Sequence, residues 1–310
     1  MIRDGILVIN KPQGWTSHDC VAVCRKVLGI KRIGHGGTLD PMAEGVLPVF
    51  IGRATRIMQY MDMDYKEYEC RAKLGISTDT QDVWGETIRE IKPEGISRED
   101  ILKAAESFNG YIEQIPPKYS ALKVKGKKLY EYAREGIDVE IKPRRVHIKE
   151  ISVEAVNTDD MEISMRVVCS KGTYIRAICS DLGEKLGCGG SMSYLKRVGS
   201  GVFTLENSLS PDEIKKMEPS EIENYVVAVD YPLVHFARAE LRRDRAVYFV
   251  SGNSIRWSQV RCSGAEAGPE DGKKYKVYQK EDGRFLGIGY YDMAKDELRA
   301  DKIFITRQEI

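Results

Sequence analysis

The chain has 310 residues, is 42% hydrophobic and 31% charged, and carries a formal net charge of +1. Such a composition can bury a core in one large domain or two ordinary ones, and it excludes a disordered, collagen-like or disulfide-scaffold protein. No apolar run approaches the roughly 20 residues needed to cross a bilayer. Met1, Arg3 and Asp4 lead into no secretion signal, so a cytoplasmic protein with reduced thiols is expected for its seven cysteines.

In chain order, ILVINKP (6–12) is a short apolar run stopped by proline, which predicts a strand entering a turn. Ser17 is expected to cap a helix that carries Val21, Cys24, Val27 and Leu28 on one face. Cys20 and Cys24, one helical turn apart, read as core thiols. The histidines His18, His35, His147 and His235 are too scattered for a local zinc site, and no metal is expected. GHGGTLDP (34–41) follows. Its glycines suit a tight loop or a close approach to a ligand, and Pro41 stiffens the loop and drives Asp40 toward an extended conformation. Taken alone it reads as a surface turn with a capping aspartate, and its flanks must decide.

GVLPVFIG (45–52) predicts a buried strand. YECRAKLG (68–75) alternates, with Tyr68, Cys70, Ala72 and Leu74 on one side, so a half-buried strand is expected with Tyr68 in the core. ISTDTQDVWG (76–85) offers Asp79 and Asp82 but lacks the later glutamate of a calcium loop. SRED (97–100) is a capping-box start for a helix over 98–107. MEISMRVVC (161–169) alternates again, and TYIRAICSDLGEKLG (173–187) reads as a turn running into a helix that Gly187 stops. No P-loop or dinucleotide fingerprint occurs.

Alternating strands interspersed with helices predict an α+β fold with a mixed, largely antiparallel sheet that has one open face. After residue 236 the pattern changes. AVYFV, KYKVYQK and RFLGIGYYD predict short strands of a small, barrel-like β domain, which divides the chain into 1–235 and 236–310. Charge is unevenly spread. Residues 118–149 hold ten Lys/Arg against four Asp/Glu, and residues 236–262 hold six against two. Two basic patches in a nearly neutral chain point to oriented binding of something anionic.

Five segments, in order, resemble one family, the TruB-type tRNA pseudouridine synthases. NKPQGWTS (10–17), GHGGTLDPMAEGVLPV (34–49), YKEYECRAKLGISTDTQDVWG (65–85), IPPKYSALKVKGKKLYEYAREGI (115–137) and CSKGTYIRAICSDLGEKLGCGG (169–190) look like its motifs. Two departures stand beside them: Gly36, where the family more often has threonine, and GGSMSYLKR (189–197), where Ala-His and Arg-Arg are commoner.

The resemblance implies a pseudouridine synthase domain with an RNA-contacting insertion at about 118–149, followed by a PUA-like RNA-binding module. It implies conversion of the T-loop uridine at conventional tRNA position 55 to pseudouridine, after base flipping, with no cofactor. Asp40 would be the catalytic carboxylate, acting as a nucleophile on sugar or base or as a base toward a ribose proton. Arg176 would pair with it, and Tyr68 would lie against the target base. Tyr174 and Leu195 would shape the pocket, His35 would contact the rearranged RNA, and Lys11 with Pro12 would brace the loop. Lys123, Lys125, Lys127 and Lys128 would lie along phosphates, with Tyr119 and Tyr130 interleaved. Asp79 is expected to join a charge network with Arg176.

The expected partner is the tRNA T arm, bound by a monomer that needs neither an obligate protein partner nor a membrane. The competing readings are the same chemistry on another RNA, as in guide-dependent relatives, and an RNA-binding or RNA-refolding protein without catalysis. The family-like insertion argues against the first, and an intact Asp40, Tyr68 and Arg176 argue against the second as the sole role. Refolding beside catalysis is compatible with opening the T arm.

Overall fold

A computed structural model describes residues 4–61, 65–264 and 268–310; Met1 and Arg3, which entered the reading of the leader, lie outside the described residues. The elements are β1 (Gly5–Lys11), α1 (Ser17–Leu28), β2 (Ile33–His35), β3 (Glu44–Ile51), β4 (Lys66–Leu74), β5 (Ile76–Thr78), β6 (Thr87–Glu90), α2 (Arg98–Glu106) and β7 (Gly110–Gln114). The insertion supplies β8 (Lys123–Val124), β9 (Lys127–Lys128) and α3 (Leu129–Arg134). Then come β10 (Arg144–Asn157), β11 (Glu162–Cys169), α4 (Ile175–Lys185), β12 (Gly190–Ser200), β13 (Phe203–Thr204), α5 (Pro211–Lys216), α6 (Pro219–Ile222) and β14 (Val226–Val227). The C-terminal part holds β15 (Ala237–Leu241), α7 (Arg243–Val250), β16 (Ile255–Arg256), β17 (Arg261–Ser263), β18 (Lys274–Gln279), β19 (Phe285–Asp292) and β20 (Glu297–Ile303).

The expected α+β architecture is present. A ten-stranded sheet runs β14-β1-β3-β12-β4-β11-β10-β7, with β2 on β3 and β13 on β12. Every pair in it is antiparallel except β12 with β3, where Lys196 lies opposite Glu44 and Arg197 opposite Gly45. The alternation read in 68–75 and 161–169 has its physical counterpart here. Tyr68 pairs with Val167 and Cys70 with Met165, and these inward side chains join Ile178 and Leu182 of α4 and Ile101 of α2 in one buried cluster.

Three local expectations change. Thr16, not Ser17, caps α1, through a capping box with Asp19; Ser17 sits inside the helix and is buried. The segment AVYFV belongs to helix α7, because its buried residues Ala246 and Phe249 recur at a spacing of three and Tyr248 is exposed. The C-terminal sheet is an open six-stranded path, β16-β20-β19-β18-β15-β17, and not a closed barrel.

This second sheet packs on the first. Ile288 and Phe304 share a buried cluster with Ile6, Phe50 and Phe203, and Arg53 pairs with both Asp4 and Glu309. Cys20 and Cys24 are core thiols as expected, and burial pushes them up to about 11 and about 12, far from reactive thiolates.

Candidate active site

Asp40 is held from both sides by the segment NKPQGWTS. The buried Ser17 hydroxyl donates to Leu39 O (3.0 Å) and accepts from Leu39 N–H (2.9 Å). On the other side, Pro41 O accepts from Lys11 Nζ (3.2 Å) and from Gly14 N–H (2.8 Å). Lys11 is fully buried and also donates to Pro12 O (3.0 Å) and Trp15 O (2.6 Å). Burial lowers its pKa from the ordinary lysine value. Three carbonyls therefore take up its three N–H donors, which holds the ammonium beneath the loop.

The glycines of the loop have separate reasons. Gly37 adopts φ +116°, closed to other residues without strain. A Cβ at Gly36 would lie 2.7 Å from the Phe50 ring, so in this chain the buried Phe50 fills the space that a threonine side chain would need.

Arg176 enters from the first turn of α4, with its side chain 5% exposed against 41% for Asp40. Its Nε lies 3.0 Å from Asp40 Oδ2, an ion pair in which the N–H is not well aligned for a hydrogen bond. Nη1 donates to Thr80 O (2.9 Å) and Nη2 to Tyr119 O (2.9 Å). The acidic partner from the 76–85 loop is Asp82, 3.6 Å from Nη1, and not Asp79 as expected. Gln81 takes a left-handed backbone (φ 63°), and Asp79 turns back to accept from Glu86 N–H (2.8 Å). Burial raises the pKa of Asp82, with Thr80 and Arg176 pulling against it.

A cavity of about 500 Å³ opens beside this pair. Asp40, Tyr68, Tyr174, Arg176, Leu195 and His35 all line it, so six residues separated by up to 160 positions share one space. Tyr68 is buried, and burial raises its phenol pKa while Arg197 opposes the rise. Tyr174 precedes α4, and its backbone is held by the side chain of Gln114, which accepts from its N–H (2.8 Å) and donates to its carbonyl (3.0 Å). His35 Nδ1 is buried with no hydrogen-bond partner, and burial followed by Arg197 lowers the imidazole pKa, which favours the neutral ring.

Arg197 was missed by sequence reasoning. It is 1% exposed, donates from Nε to Val46 O (2.7 Å) and from Nη2 to Gly37 O (3.1 Å), and stands opposite Tyr68 in the sheet. The available signal was strand alternation, since Arg197 follows Leu195 by two positions and so shares its face.

The four insertion lysines do not line the cavity; they sit on a hairpin whose turn is Lys125-Gly126. Lys123 and Lys125 are exposed, whereas Lys127 pairs with Glu135 and Lys128 reaches Tyr130 Oη (3.3 Å). Among the described residues no three or more His, Cys, Asp or Glu are grouped to hold a metal ion. Nor is any helix long and apolar enough to cross a membrane.

The architecture that frames this cavity is the pseudouridine synthase fold. It superposes on the solved "Crystal Structure of a Cbf5-Nop10-Gar1 Complex" with a TM-score of 0.72 at 24% identity, covering 98% of this chain and 86% of that one. The family model "TruB family pseudouridylate synthase (N terminal domain)" matches residues 25–175. "tRNA pseudouridylate synthase B C-terminal domain" matches 176–234, and "Pseudouridine synthase II TruB, C-terminal" matches 237–296. A relative from Clostridioides difficile (strain 630), named tRNA pseudouridine synthase B, is 40% identical over 305 residues, 97% of this chain and 99% of its own. Another of that name, from Alkaliphilus oremlandii (strain OhILAs), is 44% identical over 252 residues, 81% of this chain and 83% of its own. The chain belongs to the TruB family of pseudouridine synthases.

Proposed function

We propose that this chain converts the T-loop uridine at conventional tRNA position 55 to pseudouridine, with Asp40 as its catalytic group. The observation that carries this reading is a solvent-reachable carboxylate, fixed on both flanks and paired with a buried arginine, at a cavity that also holds Tyr68 and Leu195. A uridine in a folded loop is stacked and must leave its stack to reach such a group, at a cost of a few kcal/mol. A cavity of about 500 Å³ lies in the size range of sites that enclose a small ligand.

The reaction is an isomerisation that balances without oxidant or cofactor. The bond from C1′ to N1 breaks, the uracil rotates, and C1′ bonds to C5. C5 then loses its proton and N1 gains one. Asp40 starts this either by attacking sugar or base or by removing a ribose proton, and both routes need the carboxylate aimed in one direction. Arg176 supplies that aim. The Tyr68 phenol, kept protonated by burial, gives the base an aromatic face and an oxygen near C5. Leu195 and Tyr174 form walls, and His35 lines the cavity on the side where the displaced RNA would meet it.

The exposed Lys123 and Lys125 and the basic start of the C-terminal unit would follow phosphates. We read residues 236–310 as a PUA-like RNA-binding module on a chain that acts as a cytoplasmic monomer. Arg242, Arg245, Arg261 and Lys280 line one cleft of that unit with Glu240 and Asp244, a net positive surface that supports RNA binding there. The test is Asp40→Asn on an unmodified tRNA transcript. Pseudouridine formation should vanish while most of the affinity survives, because phosphate contacts supply it. Near-normal turnover would refute the assignment.

A further inference from the structure

We infer that a second RNA-binding element lies around the edge of the central sheet from the cavity: an aromatic and cationic ladder of Tyr65, His147, Tyr111, Arg145 and Lys149 that receives a nucleotide of the tRNA next to the one entering the pocket. This rests on the proposed function.

The ladder is built by strand pairing. His147 lies opposite Tyr111 and Arg145 opposite Glu113 across β10 and β7. The Tyr111 and His147 rings are 4.5 Å apart, and the Arg145 guanidinium stands 4.2 Å over the Tyr111 ring. Tyr65 Oη bonds His147 Nδ1 (2.9 Å), and Lys149 Nζ lies 5.5 Å from the Tyr65 ring. Yet Tyr111 is 67% exposed, the most open large aromatic among the described residues. Arg145 and Lys149 are exposed, and neither forms an ion pair with a described residue, although Glu113 faces Arg145 in register. The rings themselves are tilted, by 48° between Tyr111 and His147, so the open face of Tyr111 is free to take a base; exposed aromatic faces, guanidinium planes and unpaired cations bind bases and phosphates.

Continuity with the cavity selects RNA over other anionic partners. His147 is locked to Ser170 in both directions, by Ser170 N–H to His147 O (2.8 Å) and His147 N–H to Ser170 Oγ (2.9 Å). The next residues, Lys171, Gly172 and Thr173, line the cavity. Tyr65 likewise directly precedes Lys66, another lining residue. The ladder thus approaches the pocket rim at two points, directly through Tyr65 beside Lys66 and, for His147, through its bonded neighbour Ser170 beside Lys171. A strand whose uridine occupies the pocket brings its neighbouring nucleotide to this edge, where its base can stack on Tyr111 and Arg145 and its phosphates can meet Lys149.

The experiment uses the full chain, an unmodified tRNA transcript and a T-arm hairpin. Tyr111→Ala should weaken binding about 5- to 150-fold, the range for loss of one base stack, while Tyr111→Phe keeps it. The double variant R145A/K149A should lower the slope of log affinity against log salt by roughly 0.7 to 0.9 per lost contact, about 1.4 to 1.8 in all. The loss should fall mainly on binding, so kcat/KM should drop at least as far as affinity in each. Tyr111→Trp gives a readout independent of any loss of stability: its added fluorescence should be quenched when the hairpin binds. An unchanged affinity in Tyr111→Ala, an unchanged slope, or an unquenched tryptophan overturns the ladder. If wild-type protein forms no pseudouridine, the proposed function fails instead, and the binding and quenching measurements still decide whether RNA occupies the ladder.

Discussion

Replacing Ser17 by alanine tests whether Asp40 is aimed by its flanks. The Ser17 hydroxyl donates to Leu39 O and accepts from Leu39 N–H, at 3.0 and 2.9 Å. Ser17 is 2% and Leu39 3% exposed. No other hydrogen bond of these two backbone groups is present among the described residues. Alanine leaves both without a partner, at about 1–3 kcal/mol for each buried group. Leu39 backs onto a cavity that solvent can enter, so the lower half of that range applies, a loss of about 2–4 kcal/mol in urea unfolding. The kinetic effect should be separate from the stability effect. A carboxylate that drifts by about 1 Å loses up to about 100-fold in rate. Single-turnover assays well below the unfolding transition should therefore show a fall of tens-fold or more in kcat, with little change in tRNA affinity. A stable, fully active Ser17→Ala would mean that the glycines and Pro41 hold the loop unaided, and the clamp reasoning would be wrong.

Other expectations follow from the same geometry. Tyr68→Phe removes only a hydroxyl, so single-turnover rates should drop more than affinity, and equal rates would leave Tyr68 as packing alone. Arg176→Lys keeps a charge but not the fork that reaches Asp40, Thr80 O and Tyr119 O together; losing two charge-assisted hydrogen bonds at about 1.5–3 kcal/mol each should show as lost stability in urea unfolding, and a carboxylate left free to drift by about 1 Å should lower kcat by up to about 100-fold. Glu309, held by Arg53, has its carboxyl pulled down to about 2 from 4.5. A depressed carboxyl stabilises the fold above its unfolded pKa and loses that contribution as pH falls, here from 4.5 toward 2. Both side chains are about one-third exposed, so the effect should be at most about 1 kcal/mol. Unfolding curves of wild type and Glu309→Gln should diverge above pH 4.5 and converge at the acid end, and parallel curves would contradict the linkage.

Much of the site was legible because its parts are local patterns. Alternation alone placed Tyr68 and Cys70 on one face of a strand, and they are on one face of β4. SRED starts α2 through the Ser97–Asp100 box as read. What was not legible depends on three dimensions. Thr16 and Ser17 are equally good caps by residue type; Asp19 three residues beyond Thr16 settles the matter, and it frees Ser17 to reach a loop 22 residues away. Asp79 and Asp82 differ only in which way a loop turns at Gln81. Arg197 shares the alternation of Leu195 two positions before it, but register shifts on either side, at Met192/Tyr194 and Arg197/Gly199, confine that alternation to a few residues of GSMSYLKRVGS, whose pairing with β4 and β3 comes from distant sequence. AVYFV has strong strand propensity, and tertiary packing of Ala246 and Phe249 overrides it.

Arg176 joins the Asp40 loop to the insertion through contacts that residue identity alone would not reveal. Its three nitrogens face three segments: the Asp40 loop, the 76–85 loop and, through the carbonyl of Tyr119, the base of the insertion. The last acceptor is main chain, so it reports where the backbone lies and is indifferent to the identity of residue 119. If RNA shifts the insertion, the buried Nη2 loses its acceptor, a cost of about 1.5–3 kcal/mol that RNA contacts or water must offset. The same rigid guanidinium carries the nitrogen beside Asp40, so the Tyr119 carbonyl and the Asp40 carboxylate share one anchoring group. Substitutions in the two places should act non-additively, although Asp40 and Tyr119 stand 79 residues apart in sequence.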